Sequence, residues 1–206
     1  MTDALPAAGF WNDRYGEADY VYGIRPNDFL RENAALLVPG GAVLSLAEGE
    51  GRNAVFLARQ GHKVQGVDFS QAGRNKALQL AERFHVEIAY DVADLATYPM
   101  GEAKWDGIVS IFCHLSEEHR PGLFQSVKRA LKPGGVLLLE AYNKKQLAYG
   151  TGGPKDAAQL LSLAELTLAF EGFEIVRAED AEREIQEGPY HNGMGSVTQF
   201  IARKPV

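Results

Sequence analysis

The sequence predicts an α/β fold in which a mostly parallel sheet carries helices on both faces. Three observations lead there. From Val43 onward apolar runs alternate with amphipathic ones, a glycine-rich loop separates the first such pair, and "WDGIVSIF" is apolar in succession rather than in alternation. A strand covered on both faces reads that way.

Each element has its own signal. The first strand is "AVLSLA", followed by a helix over "RNAVFLARQ" that stops at Gly61, a residue suited to the left-handed conformation past a helix end. A second strand, "KVQGVD", leads to Ser70 as N-cap and to a helix with Ala77, Leu78, Ala81 and Phe84 on one face. The third strand is "VEIAY" and the fourth "WDGIVSIF". Leu123, Phe124, Val127, Ala130 and Leu131 then fall at helical spacing, "KPGG" ends that helix, and "VLLLEAY", the most apolar strand, takes a central place.

Past it, "NKKQLAYGTGGPKD" is a long polar loop, and Ser162 with Glu165 has the form of a capping box. Strands near "FEIVRAEDAEREI" and "SVTQFIARK" flank the turn "EGPYHNGMG" as an antiparallel pair. The first forty or so residues stand outside this alternation. Their aromatic content, with Trp11, Tyr15, Tyr20, Tyr22 and Phe29, predicts that they pack over something.

Composition narrows the function. With 206 residues, 46% hydrophobic and 23% charged, the chain is read as one domain spanning 1–206, without a separate substrate domain. A formal charge of −6 and no basic cluster speak against a nucleic-acid surface, so a small molecule is the expected partner. One cysteine, Cys113, excludes an intrachain disulfide, and five histidines at no ligand-like spacing predict no metal site. "MTDALPAAGFW" lacks a signal-peptide pattern and no apolar run reaches membrane-spanning length, so the cytoplasm is expected and no membrane association.

The stretch "SLAEGEGRN" carries the chemistry. Gly49 and Gly51 follow the first strand, the first making a tight turn and the second admitting a ligand close to backbone, while Asp68 ends the next strand nineteen positions after Gly49. A carboxylate there can accept both hydroxyls of a ribose. The competing reading is a plain turn, with Asp68 capping the following helix. Glu48 and Glu50 would repel a pyrophosphate and tolerate a cationic ligand, although a solvent-facing Glu50 is the expected outcome.

These motifs, with "VQGVDFS", "YDVADL", "WDGIVSIFCHL" and "ALKPGGVLLLEAY", resemble the class I S-adenosylmethionine-dependent methyltransferases, and among them the small bacterial tellurite-resistance methyltransferases. The resemblance spans essentially the whole chain. It implies a Rossmann-like, seven-stranded, mostly parallel sheet with the last strand antiparallel, a lid over 1–36 and a core over 37–206. It implies S-adenosyl-L-methionine as cofactor, with Gly49 and Gly51 lining its methionine and ribose part, Asp68 binding the ribose, Asp91 the adenine amino group and Val92 giving a backbone donor. Phe69 and Phe112 complete that set, and Asp94 is expected to be a helix cap or structural carboxylate.

The chain departs from the family pattern at Ser45, where an acid is usual, at Ala47, usually glycine, and at Glu48. Glu48 either substitutes for the missing acid or faces solvent. In the N-terminal segment, Arg14 is assigned to the methionine carboxylate and Tyr15 and Tyr22 to the sulfonium. Trp11 and Phe29 are assigned to packing.

The acceptor side offers His114, Tyr142 and His191 as catalytic candidates, with Tyr190 beside them. For His114 the alternative is an imidazole bonded to loop backbone, for His191 a role in the hairpin turn, and Cys113 is read as inert packing. The implied activity is methyl transfer to a small-molecule acceptor by a monomer or homodimer. An NAD-binding oxidoreductase and a non-catalytic cofactor-binding protein are the rivals.

Overall fold

A computed structural model describes residues 8–206; the first seven residues of the expected lid lie outside the described residues. Seven strands form one sheet in the order β3-β2-β1-β4-β5-β7-β6. They are β1 (Ala42–Leu46), β2 (Lys63–Asp68), β3 (Ala89–Val92), β4 (Trp105–Ile111), β5 (Leu131–Tyr142), β6 (Glu174–Gln186) and β7 (Asn192–Arg203). All neighbours are parallel except β7, which runs antiparallel to both β5 and β6. Among the described residues the α-helices are α1 (Ala8–Tyr15), α2 (Asp28–Asn33), α3 (Arg52–Arg59), α4 (Gln71–Arg83), α5 (Arg120–Ala130) and α6 (Leu163–Ala169).

The alternation of side chains along each strand divides the core in two. Leu44, Leu46, Ile108, Leu137 and Leu139 pack on one face with Phe124, Phe170 and Phe200. Val43, Val109, Ile111 and Leu138 pack on the other with Phe29, Leu30 and Leu57. A period of two puts neighbours on opposite faces, which is why these strands read as unbroken apolar runs.

Strand order reverses between β1 and β4, with Leu46 level with Val67 on one side and Ser110 on the other. That places the carboxyl ends of β1, β2 and β4 around one crevice.

Several local expectations needed correction. The third strand lies at Ala89–Val92, later than "VEIAY", because the preceding residues terminate α4: His85 takes the left-handed φ of 55° and Val86 donates to the Ala81 carbonyl at 3.0 Å. "KPGG" lies inside β5 as a bulge, the register passing from Trp105↔Leu131 to Gly107↔Val136. The capping box is half-formed. Ser162 accepts from the Glu165 amide at 3.2 Å, but the Glu165 carboxylate accepts from Arg120 at 2.7 and 3.0 Å instead of turning back. The terminal hairpin is longer than expected, with only residues 187–191 between its strands.

Candidate active site

A cavity of about 860 Å³ opens at the switch point, walled by the loops after β1, β2 and β4, by α1 and the chain beyond it, by residues 150–156 and by the β6–β7 turn. Its size suits a drug-sized ligand or two smaller ones.

The β1 loop is held by its own acids. The Ser45 hydroxyl donates to Glu48 Oε2, and Glu48 Oε1 accepts from the Ala54 amide at 2.8 Å. Gly51, the N-cap of α3, has no side chain to offer, so Glu48 caps the helix from three residues upstream. Burial raises the Glu48 pKa to about 7, against the opposing pull of Ser45, the Ala54 amide and Arg52. Glu48 is buried and does not face solvent.

Glu50 also turns inward, contrary to expectation. Its carboxylate accepts from the Val21 amide at 2.8 Å, lies 3.4 Å from that of Tyr22, and pairs with Lys76 Nζ at 2.7 Å. It buckles the N-terminal segment onto the glycine loop. A buried carboxylate needs such donors, and that need overrides its surface preference.

The two glycines differ. Gly49, on the cavity wall with φ 60°, would put a Cβ 2.7 Å from the Tyr15 hydroxyl oxygen. Gly51 lies off the wall, and its Cβ would meet Ala77 of α4 at 2.6 Å. Its absent side chain serves helix packing rather than ligand approach.

Asp68 lines the cavity beside Phe69 and accepts from the amides of Gly49 at 3.1 Å and Ser70 at 2.9 Å. Burial raises its pKa, while these amides hold the rise back. Asp91 and Val92 do not reach the cavity: both are exposed, and Asp91 accepts from the Tyr98 hydroxyl at 2.7 Å. Asp94 and Leu95 stand on the wall in their place, Asp94 also capping a turn through the Ala96 amide at 2.8 Å.

Arg14, Tyr15 and Tyr22 all line the cavity. The Arg14 guanidinium donates to the Tyr22 hydroxyl at 3.2 Å and lies over the rings of Phe10 and Tyr190, 4.4 and 4.6 Å from their centroids. Phe29 is core, whereas Trp11, assigned to packing, reaches the wall and stacks on Tyr15.

At the other end Phe112 holds a strained φ of 51°, its ring 4.6 Å from His191 and 4.7 Å from Tyr142. His114 and His191 line the cavity; Tyr142 is fully buried behind it, its hydroxyl without a partner and 2.9 Å from where a Cβ on Gly152 would sit. His114 Nδ1 meets the Gln159 carbonyl at 3.2 Å, the loop-backbone contact named as the alternative for this residue. The His191 carbonyl accepts from the Glu187 amide at 2.8 Å within the turn. Burial lowers the His114 pKa to about 4 and that of His191 well below its ordinary value. Cys113 is buried, its thiol pushed up to about 12.

Two features escaped the sequence reading. Arg52, directly after Gly51, lines the cavity and pairs with Glu187 at 2.6 Å, leaving Nη1 buried and unpartnered. Residues 150–156, read only as a polar loop, wall the cavity through Gly150, Gly152 and Gly153, all at positive φ. A cation after the glycines and a GTGG run were the available signals. Among the described residues no group of three His, Cys, Asp or Glu side chains is placed to hold a metal, and no helix is long and apolar enough to cross a membrane.

Residues 43–135 match the family described as "Methyltransferase domain". A 2-heptyl-1-hydroxyquinolin-4(1H)-one methyltransferase of Mycobacteroides abscessus is 28% identical over 58% of this chain and 54% of its own length. A ubiquinone biosynthesis O-methyltransferase of Alkalilimnicola ehrlichii is 30% identical over 69% of this chain and 59% of its own. The chain thus spans little more than half the length of these relatives. The solved structure of TehB from Haemophilus influenzae superposes with a TM-score of 0.71 at 19% identity, covering 96% of this chain and 66% of that one. The architecture is the Rossmann-like class I methyltransferase fold, shared with TehB, and the likeness to S-adenosylmethionine-dependent methyltransferases holds.

Proposed function

We propose that this chain, whose residues 43–135 match a methyltransferase domain, is an S-adenosylmethionine-dependent methyltransferase acting on a small molecule. The observation that carries the choice of cofactor is the Glu48 carboxylate on the Ala54 amide. The amino end of α3, where a dinucleotide would lodge its pyrophosphate, is already taken by an internal acid. A ligand with a ribose, a carboxylate and positive charge suits the same loop.

The residues on the wall fit such a ligand. Each Asp68 oxygen accepts one amide, which leaves lone pairs on both for the hydroxyls of a ribose. Arg14 is the cation for the methionine carboxylate, and Tyr15 and Tyr22 present rings to the sulfonium. Glu48 acts through the loop by fixing Gly49 and the first turn of α3. Asp94 and Leu95 take the adenine end in place of Asp91 and Val92.

When bound, the cofactor supplies an electrophilic methyl group whose departure leaves the C–S electron pair on sulfur. What the chain adds is alignment and exclusion of water. Residues 8–30 and the β6–β7 turn meet over the cavity through Arg14 and Tyr190, and Glu50 fastens the first of these to the loop. Phe112, His114 and His191 line the acceptor end, with Tyr142 supporting them from behind. The two relatives named above act on ring-bearing small molecules by their names, in keeping with an aromatic wall.

The test is a methyl-acceptor screen across phenols, thiols, amines and chalcogen oxyanions, following release of S-adenosylhomocysteine. Turnover of one class supports the proposal. Cofactor binding without turnover of any would favour a non-catalytic binding protein.

A further inference from the structure

The His114 imidazole has a fixed tautomer. A carbonyl oxygen only accepts, so the 3.2 Å contact with the Gln159 carbonyl requires the hydrogen on Nδ1. The neutral ring then carries its lone pair on Nε2, which is buried and has no protein partner although the residue lines the cavity. An unpartnered buried acceptor is costly, and a ligand that donates to it repays that cost. The surrounding wall carries planar rings, Phe112 and Tyr22 lying 4.6 and 4.5 Å from His191, and behind the wall Tyr142 stacks on His114 at 5.8 Å with planes 12° apart.

We propose that His114 Nε2 takes the proton of the methyl acceptor, and that this acceptor is a neutral hydroxyl on a planar ring, a phenol or hydroxylated heteroaromatic. This rests on the methyltransferase reading above. A thiolate or an oxyanion arrives without a proton and has nothing to give to a bare lone pair. A phenol is largely neutral near pH 7 and a poor nucleophile until its proton leaves. The O–H bond breaks with its electron pair remaining on oxygen, the atom that binds the methyl carbon. The proton passes to Nε2, and the imidazolium returns it to water as the product leaves.

Positive charge lost at the donor sulfur is the charge gained by the ring, so the cavity keeps its net charge. His191 is the weaker candidate. Besides its burial, Arg52, Arg14 and Arg183 all oppose a proton on it, and no carbonyl fixes its tautomer, whereas among the described residues Arg120 is the one cation that opposes a proton on the buried His114.

The test joins a spectroscopic and a kinetic arm. Nitrogen NMR of the wild-type protein labelled at histidine, loaded with S-adenosylhomocysteine and titrated with 1-naphthol, should show a bare Nε2 on His114 whose signal moves on binding. A proton resident on that nitrogen overturns the proposal, and this arm needs no variant for its outcome. In the kinetic arm, wild-type protein should methylate phenols, and His114→Gln should lower kcat for them by about 10²–10⁴-fold. The cofactor Kd should stay within about twofold, and the loss should shrink as pH rises toward the phenol's own pKa.

Methylation confined to thiols, amines or tellurite, no phenol methylated despite cofactor binding, or an equal loss on an already ionised nitrophenolate would each overturn it. Failure of wild-type protein to bind S-adenosylmethionine would instead remove the methyltransferase reading itself.

Discussion

The Ser45 hydroxyl donates to Glu48 across the turn that ends β1, while the second Glu48 oxygen takes the Ala54 amide. One carboxylate thus closes the strand end and caps the helix after it. That pairing organises the glycine loop and makes it sensitive to pH.

The Glu48 pKa rises from 4.5 to about 7 on folding. A group whose folded pKa is raised contributes stability that is full below the unfolded value and lost as pH rises through the folded one. Its contribution should fall between about pH 4.5 and 7 by on the order of 3 kcal/mol. His114 and His191 act in the opposite sense, because their lowered pKa values withdraw stability as pH drops below the ordinary histidine range. Comparing urea midpoints of wild type and Glu48→Gln isolates the first effect. The variant should gain relative to wild type from pH 5 to pH 8, and a constant difference would show that the carboxylate does not titrate there.

Ala47 holds φ 50° at the end of β1, a conformation that costs a residue with a Cβ about 1–2 kcal/mol. Ala47→Gly removes that strain at a backbone-entropy cost of about 0.4–1 kcal/mol. A net gain of about 0.5–1 kcal/mol is expected, read as a rise of a few degrees in Tm. A fall in Tm would mean that the methyl group packs better than its conformation costs.

Glu50 joins the glycine loop, Lys76 of α4 and the amides of Val21 and Tyr22. Glu50→Ala leaves buried donors and a largely buried lysine unpaired, with an expected loss of about 3–5 kcal/mol. Hydrogen exchange should show the amides of residues 20–26 opening first. Uniform loss of protection would place Glu50 in the core rather than at a buckle.

Gly51→Ala sets a Cβ 2.6 Å from Ala77 in a backbone held at φ 90°. The variant should lose at least about 2 kcal/mol in denaturant unfolding, from overpacking and left-handed strain together. Unchanged stability would return Gly51 to a role in ligand approach.

The sequence made most of this sheet visible because its strands are buried on both faces and its helices are punctuated. β2 falls where "KVQGVD" put it, and Ser70 caps α4 through the Gly73 amide. β3 was misplaced because a histidine, not a glycine, ends α4 in the left-handed conformation. Within the site, Asp68, Gly49 and His114 were legible from their places at strand ends, and His191 from its place in the terminal turn. The inward turn of Glu50 was not, and that of Glu48 was only one of two readings, since composition assigns acids to solvent and only the tertiary structure supplies the amides that bury them. Arg52 was hidden for the same reason: its partner, Glu187, is 135 residues away.

The most direct test titrates the wild-type protein by calorimetry with S-adenosylhomocysteine and with NAD under one set of conditions, alongside Asp68→Asn. Binding of the first and none of the second is predicted, and Asp68→Asn should weaken it by about 1.5–3 kcal/mol through loss of charge-assisted hydrogen bonds. NAD binding without S-adenosylhomocysteine binding would contradict the account, because a pyrophosphate would then have found the helix end that Glu48 fills.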